Sequence, residues 1–461
     1  MTPKLPPTIL VIVGITGDLT KRKLLPAIEQ IAKTGALSDQ FRLVGITRQP
    51  NVTAEDLIAK VPALDFLVDH SEIMTLDVTD LKAYDRLKDR LVQIEQEFGT
   101  TAQRLFYLSV PPTVAQPIIE RLGMSELSKH PNTKILLEKP FGVDLTSAQE
   151  LVQDIDKYFS PNQVYRIDHY LAKETAQNIV VFREQNSLFK QTWNNKHIER
   201  IEIIASEQID IQGRSAFYEQ TGALRDLVQS HLLQLAALVL MHPPKADKLQ
   251  DIPQRRLEAL RALQLPKNQP IESVVQRGQY RGYAEAVNNP GSTVETFVSL
   301  QLESTDPLWV GVPIRLTTGK ALREKFTEIR ILYKREEGYE SNELVLHLQP
   351  NESIELYMWA KRPGYQHIVS PHSLQFSFKD HYALFPEAYE QVLFSGLGSD
   401  HTLFTSSEEV LETWRILDPI QKYWSTHSDD LILYEPGSDV REVVPDWNHM
   451  PISHSSRSTS S

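Results

Sequence analysis

The chain of 461 residues contains no cysteine. Disulfides, thiolate catalysis and cysteine-ligated metal sites are therefore excluded. Long apolar runs are missing too. The longest late stretch, LLQLAALVLM, is too short to cross a bilayer. The early run in MTPKLPPTILVIVG is too short for a signal core with a cleavage site, and reads as a linker and a first strand. A cytoplasmic chain with no membrane partner is expected. Positive charge is also in deficit: 48 Lys and Arg stand against 60 Asp and Glu, a net charge of -12. That argues against a general nucleic-acid binder, but it leaves room for a local basic pocket around a small acidic molecule. There is no internal repeat. An H-x-x-x-H pair is absent as well, so no metal site is expected.

What is present is ordinary in bulk: 41% hydrophobic and 23% charged residues, the mix of a soluble globular protein. The length exceeds one ordinary core and points to two domains. From residue 8 to about 168, the apolar runs ILVIV, FRLVGI, EIMTL, RLFYLSV, KILLE and VYRI alternate with amphipathic stretches such as DLKAYDRLKDRLVQIEQEF. That alternation predicts βαβ units and a parallel sheet covered on both faces. After about residue 199, strand-like runs such as ERIEIIASE, TVETFVSLQL, TEIRILYK and SIELYMWAK follow with little helix between the later ones. They predict a large antiparallel sheet, the α+β pattern. Helices are expected at about 219–241, 252–263 and 406–424. The expected division is an α/β domain over 1–168, an α+β domain over 169–448, and a polar, Ser-rich, disordered tail over 449–461.

The first strand runs into GITGDLTKRKLLPAIEQI. Gly14 and Gly17 let backbone approach an anion, and the helix start behind them offers free N–H groups and a positive dipole end. Only two glycines of a G-x-G-x-x-G pattern are present. The second strand ends in VGITRQP, where a dinucleotide site that selects NAD carries an acid for the ribose hydroxyl. Here the position offers Thr47, Arg48 and Gln49. Arginine fits a 2′-phosphate and favours NADP, whereas Gln49 leaves NAD use open.

KILLEKPFG puts Glu138 and Lys139 at the carboxyl end of a strand, the edge where open α/β sheets bind ligands. RIDHYLAKE then sets Asp168, His169, Tyr170 and Lys173 after the strand VYRI. If a helix begins at once, His169 and Lys173 are i and i+4 and share a face. Two donors, a tyrosine hydroxyl and a helix start suit a phosphomonoester. Asp168 accepts only when ionised, so its natural partner is a cation or a histidine N–H. GALRDLVQSHLLQLAALVLM is apolar nearly all round and predicts a buried helix holding Asp226 and His231. A histidine there is either a hydrogen-bonded core residue or a base. A carboxylate such as Asp168 within reach favours the base.

The set GITGDLTKRKLLPA, EKPFG, RIDHYLAKE, GALRDLVQSHLLQ and TTGKALREK resembles glucose-6-phosphate dehydrogenase, in order and spacing, from about residue 8 to 425, with EAYEQVLF, DHTLF and WRILDPI as later matches. The resemblance implies a Rossmann-type coenzyme domain and a larger β+α domain with an extensive antiparallel sheet. It implies hydride transfer from C1 of glucose 6-phosphate to NADP+, and a homodimer or homotetramer. By the same resemblance His231 is the general base, and Asp168 orients it and stabilises its cation. His169, Tyr170 and Lys173 hold the phosphate. Lys139 and Lys320 contact the substrate, with Lys139 also close to the coenzyme, and Glu207 and Asp226 hydrogen-bond sugar hydroxyls. Gly14, Thr16, Gly17, Asp18 and Leu19 form the coenzyme turn, and Arg48 meets the 2′-phosphate.

The chain departs from the usual pattern at three points. Ala172 replaces a glycine, Ser230 stands before His231, and Thr317 occupies the place of an arginine three residues before Lys320, with Arg315 two residues earlier on the same strand face. Two rival readings stay in view: a dehydrogenase of an unphosphorylated sugar, which needs no His169 and Lys173 clamp, and a catalytically silent relative, which should have lost Asp168, His231 or a clamp lysine.

Overall fold

The computed structural model describes residues 3–444, apart from 59, 60, 62, 63, 212, 246, 383 and 384. The Ser-rich tail expected over 449–461 lies outside the described residues. The chain forms two compact units. One gathers Met1–Phe189, Ala237–Arg261 and Tyr382–Asp418; the other gathers Lys190–Ala236, Ala262–His381 and Pro419–Ser461. Residue 168, the expected boundary, falls inside the first unit, and two later segments return to that unit. No helix among the described residues is long and apolar enough to cross a membrane.

The first unit is built on a seven-stranded sheet, in the order Phe404–Thr405, Val164–Ile167, Thr133–Leu137, Gln103–Leu108, Thr8–Val13, Phe41–Thr47, Ser71–Thr75. All neighbours are parallel except the first pair. The strands Thr8–Val13, Gln103–Leu108 and Thr133–Leu137 are buried at every position, which is what a parallel sheet with two covered faces demands. Side chains alternate between the two cores: Leu10, Ile12, Leu105 and Tyr107 enter one, and Ile9, Val11, Phe106 and Leu108 the other. Because the main strands are parallel, the residues after 13, 47, 108, 137 and 167 all emerge at one edge. The sequence expectation of an α/β coenzyme fold is met there.

The returning segments are fastened by a buried arginine. Arg256 donates from Nε to Glu409 Oε1 at 2.8 Å, from Nη1 to the Thr402 carbonyl at 2.6 Å and from Nη2 to the Phe404 carbonyl at 2.5 Å. This holds Phe404–Thr405 in place, where Phe404 pairs with Ile167 and Thr405 with Arg166. Removing one member of such a buried pair strands a charge and costs roughly 3–5 kcal/mol.

The second unit carries a ten-stranded sheet. Its order is Val369–Ser377, Ser353–Lys361, Glu343–Gln349, Phe326–Tyr333, Ile198–Ser206, Ile314–Gly319, Phe297–Ser304, Val275–Tyr280, Leu431–Tyr434, with Leu263–Gln264 pairing to Phe297–Ser304. It is mostly antiparallel, as expected. Two pairings are parallel, Ile198–Ser206 with Ile314–Gly319 and Val275–Tyr280 with Leu431–Tyr434. Both join strands far apart in sequence, where the chain is long enough for a crossover. The Val369–Ser377 edge strand leaves Val369, Leu374 and Phe376 exposed.

Candidate active site

In the first unit the turn from Gly14 to Gly17 closes as the glycines require. Gly14 has φ 89°, and a Cβ there would lie 2.3 Å from the Ser109 carbonyl oxygen. Only glycine fits both the left-handed backbone and that approach. Gly17 N–H bonds the Gly14 carbonyl at 2.9 Å, and Thr20 Oγ1 lies 3.1 Å from Ser109 Oγ. The helix starts at Asp18, which pairs with Arg22. Its first turns are widened, with the Leu25 N–H bonding the Thr20 carbonyl. Such i→i+5 turns are rare, and they recur at functional sites. Thr16 is half-buried, and Leu19 packs against the core below the turn. Arg48 is exposed just past the Phe41–Thr47 strand. Beside it Asp77 is held below the ordinary carboxylate range, chiefly by the Thr79 N–H and hydroxyl, with Arg48 a smaller positive neighbour.

Glu138 and Lys139 follow the Thr133–Leu137 strand, and the Lys139–Pro140 peptide is cis. Tyr107 donates its hydroxyl to Glu138. Burial pushes the Glu138 carboxyl up, against the pull of Tyr107 and Lys139. Asp168 emerges one strand over and is buried. Its Oδ1 accepts the Tyr170 N–H at 2.9 Å. Burial raises its pKa to about 6; the charge of His169, the Tyr170 N–H, Lys139 and Arg256 all oppose the rise.

The segment after Asp168 is not the helix expected from the sequence. Residues 169–172 make turns, with Leu171 N–H on the Asp168 carbonyl at 3.1 Å and Lys173 N–H on the Tyr170 carbonyl at 3.2 Å. The helix is Glu174–Gln185, and Lys173 is its extended N-cap. Asp168 Oδ1 meets the Tyr170 N–H in an Asx turn, and the chain turns twice more before the helix begins. His169 and Lys173 therefore do not share a helical face. His169 sits against Tyr170, ring centroids 5.0 Å apart, and stacks toward Tyr389 at 6.3 Å. Lys173 still stands at the helix start, where an anion is favoured.

In the second unit, the expected helix over 219–241 breaks at Gly222 (φ 62°, ψ 177°), where a Cβ would meet the Glu295 carboxylate at 2.3 Å. Glu295 receives the Leu224 N–H at 3.0 Å. Residues Leu224–Leu232 then wind as a π-helix, with the Leu233 N–H on the Val228 carbonyl. This matters for Asp226 and His231. Five residues apart, they diverge on an α-helix, but i→i+5 winding brings them to one face. His231 is buried. The Ser230 hydroxyl is spent on the Asp226 carbonyl at 2.7 Å.

Glu207, Asp226 and Lys320 meet in the same unit. Lys320 Nζ lies 2.5 Å from Glu207 Oε2 and 3.9 Å from Asp226 Oδ2. Every predicted first-unit residue thus lies at one sheet edge, and the predicted second-unit residues lie on the π-helix and around Lys320. Sequence reasoning missed Thr20, Ser109, Tyr107, Tyr389 and Tyr218. Their signals were slight: LSVPP just past a strand, and EAYEQVLF as a match without a role.

Two family models match the chain. Residues 11–178 match the glucose-6-phosphate dehydrogenase NAD binding domain, and residues 180–446 match the glucose-6-phosphate dehydrogenase C-terminal domain. The chain belongs to the glucose-6-phosphate dehydrogenase family. The glucose-6-phosphate 1-dehydrogenase of Chlamydia muridarum is 37% identical over 92% of this chain and 91% of its own. That of Bacillus subtilis is 34% identical, covering 94% and 95%. A solved glucose-6-phosphate dehydrogenase in complex with its substrate glucose-6-phosphate superposes with a TM-score of 0.89 at 28% identity, covering 98% of this chain and 99% of that one.

The departures from the family pattern now have local accounts. Ala172 is not left-handed, and its methyl joins the core, so glycine is not required there. Thr317 hydrogen-bonds Ser299 through their hydroxyls at 2.8 Å. Arg315 lies 3.6 Å from Glu202 on the neighbouring strand. Its charge is engaged one residue pair further from Lys320 than the position Thr317 occupies.

Proposed function

We propose that this member of the glucose-6-phosphate dehydrogenase family oxidises β-D-glucose 6-phosphate at C1 to 6-phosphoglucono-δ-lactone with NADP+, the first step of the oxidative pentose phosphate pathway. The observation that carries the reading is the full set of motif residues, in register, in a chain that matches both family domains. The turn fits a dinucleotide, because Gly14 closes it in a left-handed conformation against the Ser109 backbone, directly ahead of a helix start whose N–H groups favour a phosphate. Gly14, Thr16, Gly17, Asp18, Leu19 and Lys139 would hold the coenzyme, and Arg48 its 2′-phosphate. When bound, NADP+ supplies the hydride acceptor.

The chain's own residues do the rest in this reading. His231 takes the C1 hydroxyl proton, since hydride leaves that carbon readily only as the proton departs. Asp168 supplies the charge that orients the base and steadies its cation. His169, Tyr170 and Lys173 hold the phosphate, remote from C1, so that binding energy fixes the reacting carbon. Lys139, Glu207, Asp226 and Lys320 meet the sugar. Residues 1–168 serve the coenzyme, and 169–448 the substrate and assembly. The exposed apolar Val369–Ser377 edge supports a homodimer or homotetramer. A cytoplasmic setting belongs to the same proposal.

The test follows reduced-coenzyme absorbance with glucose 6-phosphate, glucose and fructose 6-phosphate, each with NADP+ and NAD+. Turnover with glucose 6-phosphate alone is expected. Turnover with glucose instead would transfer the reading to an unphosphorylated sugar, and no turnover from folded protein would point to a silent relative. His169→Ala and Lys173→Ala are each expected to raise the KM for glucose 6-phosphate at least about ten-fold, because each removes a charge-assisted hydrogen bond. Unchanged KM in both variants would remove the clamp. Arg48→Ala should weaken NADP+ more than NAD+, measured as the ratio of the two KM values; an equal loss would show that Arg48 does not read the 2′-phosphate.

A further inference from the structure

Tyr218, on the helix Ser215–Ala223, is a buried tyrosine to which the family motifs assign no role. Lys320 Nζ stands 5.1 Å from its ring centroid. The same ammonium is bonded to Glu207 and lies near Asp226, and its side chain is only 2% exposed. Tyr434 fixes the Lys320 backbone by donating its hydroxyl to the carbonyl at 2.7 Å. The Tyr218 ring is held in turn. Tyr283 stands edge-on to it at 6.1 Å, and the Tyr283 hydroxyl donates to Glu219 Oε2 at 2.8 Å.

The hydroxyl of Tyr218 is a different matter. It is enclosed, and among the described residues it has no hydrogen-bond partner. Burial, followed by the charges of Asp226 and Glu295, holds its pKa well above the ordinary phenol value, so it stays neutral. The part of this side chain that contacts Lys320 is therefore the aromatic face. Two carboxylates alone would draw the ammonium fully into themselves. An aromatic face on another side gives it a fixed third contact, and a desolvated cation over a ring is held more strongly than an exposed one.

We propose that Tyr218 is a positioning residue for Lys320, and that its ring face fixes the ammonium between Glu207 and Asp226 while its hydroxyl is dispensable. The proposal rests on Lys320 as a substrate contact. Tyr218→Leu is expected to raise the KM for glucose 6-phosphate about five- to ten-fold, with a smaller change in kcat. Tyr218→Phe keeps the ring and should rescue the KM. It should also melt no lower than the parent, since it deletes an unsatisfied hydroxyl. If the leucine variant does not fold, Tyr218→Met, unbranched and able to fill an irregular gap, takes its place.

Lys320→Met separates the two readings. It should raise the KM itself, and Tyr218→Leu in that background should add less than about two-fold, because the coupled partner is gone. If Lys320→Met leaves the KM unchanged, the substrate role of Lys320 fails, and the proposal falls with it. If Lys320→Met raises the KM and Tyr218→Leu does not, only the Tyr218 proposal falls. Equal losses in the phenylalanine and leucine variants would place the effect on the hydroxyl and overturn it too.

Discussion

His231→Asn should lower kcat for glucose 6-phosphate by at least about 10²-fold while KM stays within a few-fold. Asparagine keeps a polar side chain of similar reach but cannot take a proton at neutral pH. The loss therefore falls on the step in which the C1 hydroxyl proton leaves, and binding survives. His231 lies on the π-wound Leu224–Leu232 segment, whose start is held by Glu295 through the Leu224 N–H, an anchor that the substitution leaves in place. Steady-state kinetics on protein of parental melting temperature checks it. A variant that turns over at the parental rate would remove His231 from the base role.

The sequence carried most of the fold and nearly all of the residues placed at the site, for physical reasons that also mark its limits. The parallel sheet and its ligand edge were legible because ILVIV, RLFYL and KILL are largely apolar runs followed by turn residues, and parallel strands deliver those turns to one edge. The start of the helix after Asp168 was not legible. Periodicity favours helix from His169 onward, and nothing in that pattern marks the turns at 169–172 or the extended Lys173 that precedes Glu174. The π winding that brings Asp226 and His231 to one face was hidden for a similar reason. It follows from the Gly222 break and the Glu295 carboxylate, which lies 69 residues beyond Asp226 in the chain. Nor could pattern alone show that Ala237–Arg261 and Tyr382–Asp418 rejoin the first unit. Buried contacts fasten them, those of Arg256 with Glu409 and the Phe404 carbonyl among them, and that arginine looks like any other on an amphipathic stretch.

Asp168→Asn should move activity and stability in opposite directions. Activity should fall on the order of 10²-fold in kcat, because a neutral amide no longer steadies the charge that the base acquires. Stability at neutral pH should rise. The Asp168 carboxyl has a pKa raised from 3.8 to about 6, chiefly by burial. For a carboxyl raised in this way, the favourable contribution is present below the unfolded value and is lost as pH climbs through the folded one. Above both values the parent holds a buried negative charge at a cost of roughly 3 kcal/mol at most. The variant has no such charge to hold, and its amide oxygen can still accept the Tyr170 N–H that Oδ1 accepts at 2.9 Å. Denaturant midpoints at pH 7.5 and pH 4 check the sign. The variant should lead at pH 7.5, and the gap should close toward pH 4, where the parent carboxyl is protonated. A variant less stable at pH 7.5 would mean that its neighbours, His169, Lys139 and Arg256, outweigh burial and that the carboxylate stabilises the fold. Unchanged kcat would take Asp168 out of the reaction, whatever its effect on stability.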